Sequence, residues 1–115
     1  LVKHTYLNGW WLPGGGVDLG EPRSATVKRE MREEAGLVTD QAPKLISIHS
    51  NETFFPGDHV ALFRVEAFVM TERTSHGEIA EIGWFDPDNL PEDTTRATRD
   101  RLAEALGHQP PSEDW

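Results

Sequence analysis

Apolar and polar positions alternate with two different periods along this chain, and the change of period marks its elements. Residues 1–7 (LVKHTYL) alternate loosely, and Val2, Thr5 and Tyr6 favour extended backbone. Asn8-Gly9 is a tight-turn pair, and Trp10-Trp11-Leu12 is a second short strand stopped by Pro13. The two strands predict a hairpin that delivers the chain to Gly14-Gly15-Gly16. Three glycines allow positive φ and a close approach of backbone to a ligand. The period then becomes helical. Pro22 suits a first turn, Ser24 offers a cap, Val27, Met31 and Ala35 form an apolar stripe, and Gly36 stops the helix.

Period two returns at residues 44–50 (KLISIHS), a predicted strand. Residues 51–58 (NETFFPGD) read as a loop showing two aromatics. Residues 59–70 (HVALFRVEAFVM) are the longest apolar, β-rich run and predict a central strand. A polar loop at 71–78 leads to a strand at 79–85 (IAEIGWF), which Asp86-Pro87 ends. Ala97, Leu102, Ala105 and Leu106 recur at helical spacing and predict a closing helix over 95–106. The Pro-rich, acidic residues 108–115 are expected to form a flexible tail unless Trp115 docks. The strands lie too close together for βαβ units. The expectation is an α+β fold, an α/β/α sandwich with a mixed central sheet. Residues 1–107 form one domain, and because Leu1 opens inside an apparent strand, a further N-terminal strand is expected to be missing.

Composition narrows the function. The 115 residues carry 20 Asp and Glu against 11 Lys and Arg, a formal net charge of −9. That weighs against nucleic acid as a partner, which needs a basic face. It would also repel an anionic substrate unless bound metal reversed the local field. No apolar run is long enough to span a membrane, so no membrane partner is expected. The absence of cysteine excludes disulfides, a thiolate nucleophile and a Cys-type zinc site, and is compatible with a cytoplasmic location. The five histidines show no HxxxH pair, and His4, His49, His59 and His76 are expected at the surface or in loops.

One stretch breaks a local rule. Glu30, Glu33 and Glu34 crowd the C-terminal end of the predicted helix, where the helix dipole disfavours carboxylates by roughly 0.3–1 kcal/mol each. Glu30 and Glu34 also repel one another at i,i+4, by about 0.2–0.5 kcal/mol. A solvated face is the ordinary reading of such a cluster. An uncompensated local conflict instead marks a functional site, and a divalent cation is the natural compensation.

The spacing around these residues resembles a known family. Gly15, five residues, Glu21, seven residues, Arg29-Glu30-Met31, Arg32, Glu33-Glu34, Ala35, Gly36-Leu37 is similar to the box Gx5Ex7REUxEExGU of the Nudix hydrolases (MutT-like), with every specified position matched. Trp10-x-Leu12-Pro13-Gly14-Gly15 before it, and Glu81-x-x-Trp84-Phe85 with Leu90-Pro91 after it, also look like the family. Pro22 departs from it, standing where a capping Ser or Thr is common, as does Thr26 where Ala is common.

The resemblance implies the Nudix fold and a Mg²⁺-dependent pyrophosphatase, Mn²⁺ being the alternative ion. The substrate would be a small nucleotide-type diphosphate: a nucleotide sugar, ADP-ribose or a (d)NTP. A dinucleoside polyphosphate or capped RNA is the rival substrate, a non-catalytic ligand sensor the rival class, and a homodimer a common assembly. It implies Glu30, Glu33 and Glu34 as metal carboxylates, joined by the Gly15 carbonyl and by Glu21 near the metal face. Glu33 or Glu34 could instead serve the attacking water, and Arg29 would orient the glutamates by ion pairing. Glu81 resembles a further catalytic carboxylate, with Glu78 as its alternative. Gly14, Gly15 and Gly16 would frame the diphosphate. Trp10 and Trp84 are expected in the core, while Phe54, Phe55 and Trp11 could stack on a base.

Overall fold

The computed structural model describes residues 1–73 and 77–115. His76 lies outside the described residues. In order the elements are β1 (Val2–His4), α1 (Arg23–Ala35), β2 (Leu37–Val38), β3 (Lys44–Ser50), β4 (His59–Arg64), β5 (Val69–Met70), β6 (Ile79–Ile82) and α2 (Arg96–Ala105). Among the described residues the strands pair in three antiparallel ladders, β1–β6, β2–β5 and β3–β4. Parallel pairing enters through single bridges, Trp10 to Thr94 and Ser50 to Asp114. The architecture is α+β.

Helix α1 starts and stops for identifiable reasons. Pro22 is its N-cap, with φ −67° and ψ 152°, and no side chain caps the first turn, so Ser24 lies inside the helix rather than at its cap. At the other end Gly36 takes φ 68°, and its N–H returns to the Arg32 carbonyl at 3.0 Å. Thr71 packs directly on that glycine, its N–H donating to the Gly36 carbonyl at 2.6 Å. A Cβ there would run into the Thr71 carbonyl, so this closure needs glycine for space as well as for φ. The buried face of α1 is Thr26, Glu34 and Ala35; Val27 and Met31 of the expected stripe are only half-buried.

The apolar core is small: Val2, Trp10, Ala35, Leu37 and Ile79. It lies where the β1–β6 ladder meets the end of α1, around a cavity of about 140 Å³. Trp10 meets Phe85 edge-on at 4.8 Å, as a core tryptophan should. Trp84 does not join it. It is 61% exposed and stacks on Phe68 at 5.4 Å. The ring has a partner outside the core, which is why the expected burial fails.

Other expectations are corrected. The first hairpin shrinks to three residues of strand plus the hydrogen-bonded pair Val2–Trp11, because residues 5–7 leave the ladder. The run at 59–70 is two strands rather than one. β4 pairs with β3 and β5 with β2, and the break between them lets the chain pass from one ladder to the other. Val69 and Met70 are 63% exposed. In α2 the buried residues are Thr98, Arg101 and Glu104, while Leu106 of the expected stripe is 41% exposed.

That reversal in α2 has a cause in residues 108–115, which are docked rather than loose. Arg101 and Glu104 pair at 2.8 Å, both almost fully buried, beneath the Trp115 ring. Arg101 also donates to the Asp114 carbonyl at 3.0 Å. Ser50 N–H donates to the Glu113 carbonyl and Trp115 N–H to the Ser50 carbonyl, so the tail extends β3 by one bridge. His49 is fully buried, correcting its expected place at the surface. Its ring sits between the Ser47 hydroxyl and the Ser112 carbonyl, each at 2.7 Å, with Trp115 edge-on.

Candidate active site

The glycine turn and the last three turns of α1 are laced together by side chains. Gly14 N–H donates to Glu34 Oε2 at 2.8 Å. Gly15 lies against the Glu30 carboxylate, closely enough that a Cβ would overlap it. Gly16 gives its carbonyl to Arg29 Nη2 at 3.0 Å. Each of the three glycines expected to frame a diphosphate is therefore engaged with the helix, and Gly15 is glycine because Glu30 occupies the space beside it.

Arg29 is the hub. Its Nε and Nη2 donate to the two oxygens of Glu21 at 2.9 and 3.0 Å. Its Nη1 donates to Glu30 at 2.8 Å and to Glu33 at 3.3 Å. Asp18 lies 3.4 Å from Nε. A planar guanidinium with five donors is suited to this many acceptors, and a lysine ammonium is not. The Arg29 guanidinium beside Glu21 holds that carboxyl at about 2, helped by the Thr26 hydroxyl, which donates to it at 2.6 Å. Glu21 in turn is the main cause raising the Arg29 pKa further above its ordinary value. Sequence reasoning missed Thr26 and Asp18. Glu21 precedes the helix, so no helical spacing pointed from it to either partner.

Glu34 is the opposite case. It is 4% exposed, and the Gly14 N–H is its hydrogen-bond partner. Burial pushes its carboxyl up to about 7, and the charges of Glu30, Glu78 and Glu33 push the same way against the Gly14 N–H. Glu78 thus belongs to the electrostatic surroundings of Glu34. Glu81 is exposed on β6, opposite Lys3.

The donor chemistry fits a hard divalent cation: carboxylate oxygens of Glu30, Glu33 and Glu34, with Gly15 lying against Glu30. Among the described residues no three acidic or imidazole side chains yet gather as a cation cage. Arg29 supplies the positive charge instead, drawing Glu30 and Glu33 toward itself.

Comparison with known proteins agrees with this local picture. The model of the NUDIX domain matches residues 1–106. A MutT-like protein of Streptomyces ambofaciens is 34% identical over 100 residues, covering 86% of this chain and 62% of that protein. An ADP-ribose pyrophosphatase of Methanocaldococcus jannaschii is 32% identical over 81 residues, 70% of this chain and 47% of its own length. The chain therefore spans about half to three-fifths of these relatives. The crystal structure of a MutT NUDIX hydrolase from Burkholderia pseudomallei superposes with a TM-score of 0.70 at 30% identity, covering 88% of this chain and 82% of that one. With a matching domain model, relatives above 30% identity and the same fold, this chain belongs to the Nudix family.

Proposed function

We propose that the chain is a Mg²⁺-dependent pyrophosphohydrolase acting on a small nucleoside diphosphate derivative, of the nucleotide-sugar, ADP-ribose or (d)NTP type. The observation that carries this reading is Glu34: a carboxylate taken out of water, surrounded by like charges, with a single backbone N–H turned toward it. Such a group is costly to hold without a cation. Glu30, Glu33 and Glu34 would hold the metal, with the Gly15 carbonyl. A bound Mg²⁺ supplies charge neutralisation for the diphosphate and a more acidic water. Arg29 fixes the carboxylates and, through the Gly16 carbonyl, the turn over which the diphosphate would lie. Glu78 is the better placed of the two downstream carboxylates to assist, through its influence on Glu34. The relatives named MutT-like and ADP-ribose pyrophosphatase support the substrate class.

The test is phosphate release from ADP-ribose, a nucleotide sugar and a dNTP, with Mg²⁺ and with Mn²⁺. Glu34→Gln keeps the shape and removes the charge. It is expected to lower kcat at least on the order of a hundredfold on the best substrate. Glu30→Gln should act in the same direction. If both variants turn over like the parent chain, or the parent chain releases no phosphate with either metal, the catalytic reading is lost.

A further inference from the structure

The face of α1 turned away from the carboxylates carries a second cleft, of about 420 Å³. Ala25 and Val38 are the apolar groups in its lining, and Lys28 and Arg32 bring positive charge to it. The Arg29–Glu21 pair closes one end. The Thr39 hydroxyl also lines it but is already used, donating to the Ala67 carbonyl and accepting from the Gln41 N–H.

Lys28 and Arg32 both line this cleft. Some other basic side chains have an acidic partner. Lys3, Lys44, Arg96 and Arg101 each have one. Among the described residues neither Lys28 nor Arg32 takes part in an ion pair or a side-chain hydrogen bond. They are also like charges at i,i+4, adjacent on the helix and mutually repulsive. At 3.6 residues per turn, Ala25, Lys28 and Arg32 share one face. Arg29 and Glu33 come next around the helix, and Glu30 and Glu34 lie beyond them. The cleft is thus separate from the Glu34 carboxylate, with Arg29 between the two.

From the pairing of two unpartnered cations with an apolar-floored cleft of small-molecule size, we infer a second, metal-independent binding site for a phosphate-bearing small molecule, its phosphate or diphosphate held by Lys28 and Arg32 and its apolar part lying over Ala25 and Val38. Two donors one helical turn apart match the breadth of such a group, and hydrogen bonds from charged donors to phosphate are the strong kind. The site does not depend on whether the box glutamates hydrolyse anything.

Amide NMR titration with inorganic pyrophosphate, and separately with phosphate, in EDTA tests this without a loaded metal site. Saturable shifts are expected at Ala25, Lys28, Arg32, Val38 and Thr39, weakening as salt is added. The double variant Lys28→Gln/Arg32→Gln should keep a folded spectrum and lose affinity at least about tenfold, because two charge-assisted bonds disappear. Glu34→Gln should bind as the parent chain does. Tighter binding of pyrophosphate than of phosphate assigns a diphosphate ligand, and equal binding a single phosphate group. Absence of saturable shifts, equal affinity in the double variant, or shifts centred on residues 14–16 and lost in Glu34→Gln would each overturn the assignment.

Discussion

Arg29→Ala is expected to cost activity on the order of a hundredfold in kcat/KM and to lower Tm by several degrees. The substitution removes one side chain but strands several groups. Glu21 loses both of its guanidinium bonds, Glu30 and Glu33 lose their cation, and the Gly16 carbonyl loses its donor. The turn and the helix are then joined mainly by the Gly14–Glu34 hydrogen bond. Arg29→Lys separates charge from geometry. A lysine keeps the positive charge but has three donors on a point ammonium, so it cannot serve Glu21 bidentately while also reaching Gly16 and Glu30. The lysine variant should recover much of the melting temperature and little of the turnover. Equal recovery of both, read by thermal melting beside steady-state kinetics, would reduce Arg29 to bulk electrostatics.

The second large effect is on metal-free stability against pH. The Glu34 carboxyl is raised from 4.5 to about 7 in the folded chain. The folded state therefore binds this proton more tightly than the unfolded state does. Stability is highest below pH 4.5 for this group and falls as pH rises through 7, where the folded chain must carry an uncompensated charge. A rise of this size corresponds to about 3 kcal/mol between the two limits. Glu21 works the other way. Its carboxyl is depressed to about 2, so its contribution is complete above pH 4.5 and is lost as pH falls toward 2. Melting curves in EDTA should show Tm falling from pH 5 to pH 8, and Glu34→Gln should flatten that limb. A limb that is unchanged in the variant would assign the loss to other groups.

Much of the site was legible in the sequence and less of the fold. The box glutamates, Arg29 and the glycine turn were singled out by the resemblance to the Nudix box, and the structure brings them into direct contact. What spacing could not tell is who pairs with whom. The tie between Glu21 and Thr26, or between Gly14 and Glu34, depends on how the turn folds back over the helix. Hydropathy failed where charge is buried or aromatics are exposed. The pattern on α2 put Leu106 in the apolar stripe, yet Leu106 is exposed while Arg101 and Glu104 are buried, a pair that neutralises itself under Trp115. The run at 59–70 breaks where Arg64 and Glu66 interrupt its apolar positions, and its two parts pair in different ladders. The bounds of β3 were read correctly, although its register on β4 shifts between Leu45 and Ser47.

The docking of Trp115 beside Ser50 bears on the order in which the molecule assembles and comes apart. The His49–Ser112 contact joins groups 63 residues apart in sequence. Closing so long a segment is entropically slow, whereas the β3–β4 hairpin forms from neighbours. The tail is therefore expected to lock after the hairpin exists, late on the folding route. Interactions made late are broken early in unfolding, and weakening them speeds unfolding far more than it slows folding. In a denaturant chevron Trp115→Ala should raise the unfolding limb and leave the folding limb nearly in place. The last few residues thus act on the lifetime of the native state rather than on the speed with which it is reached.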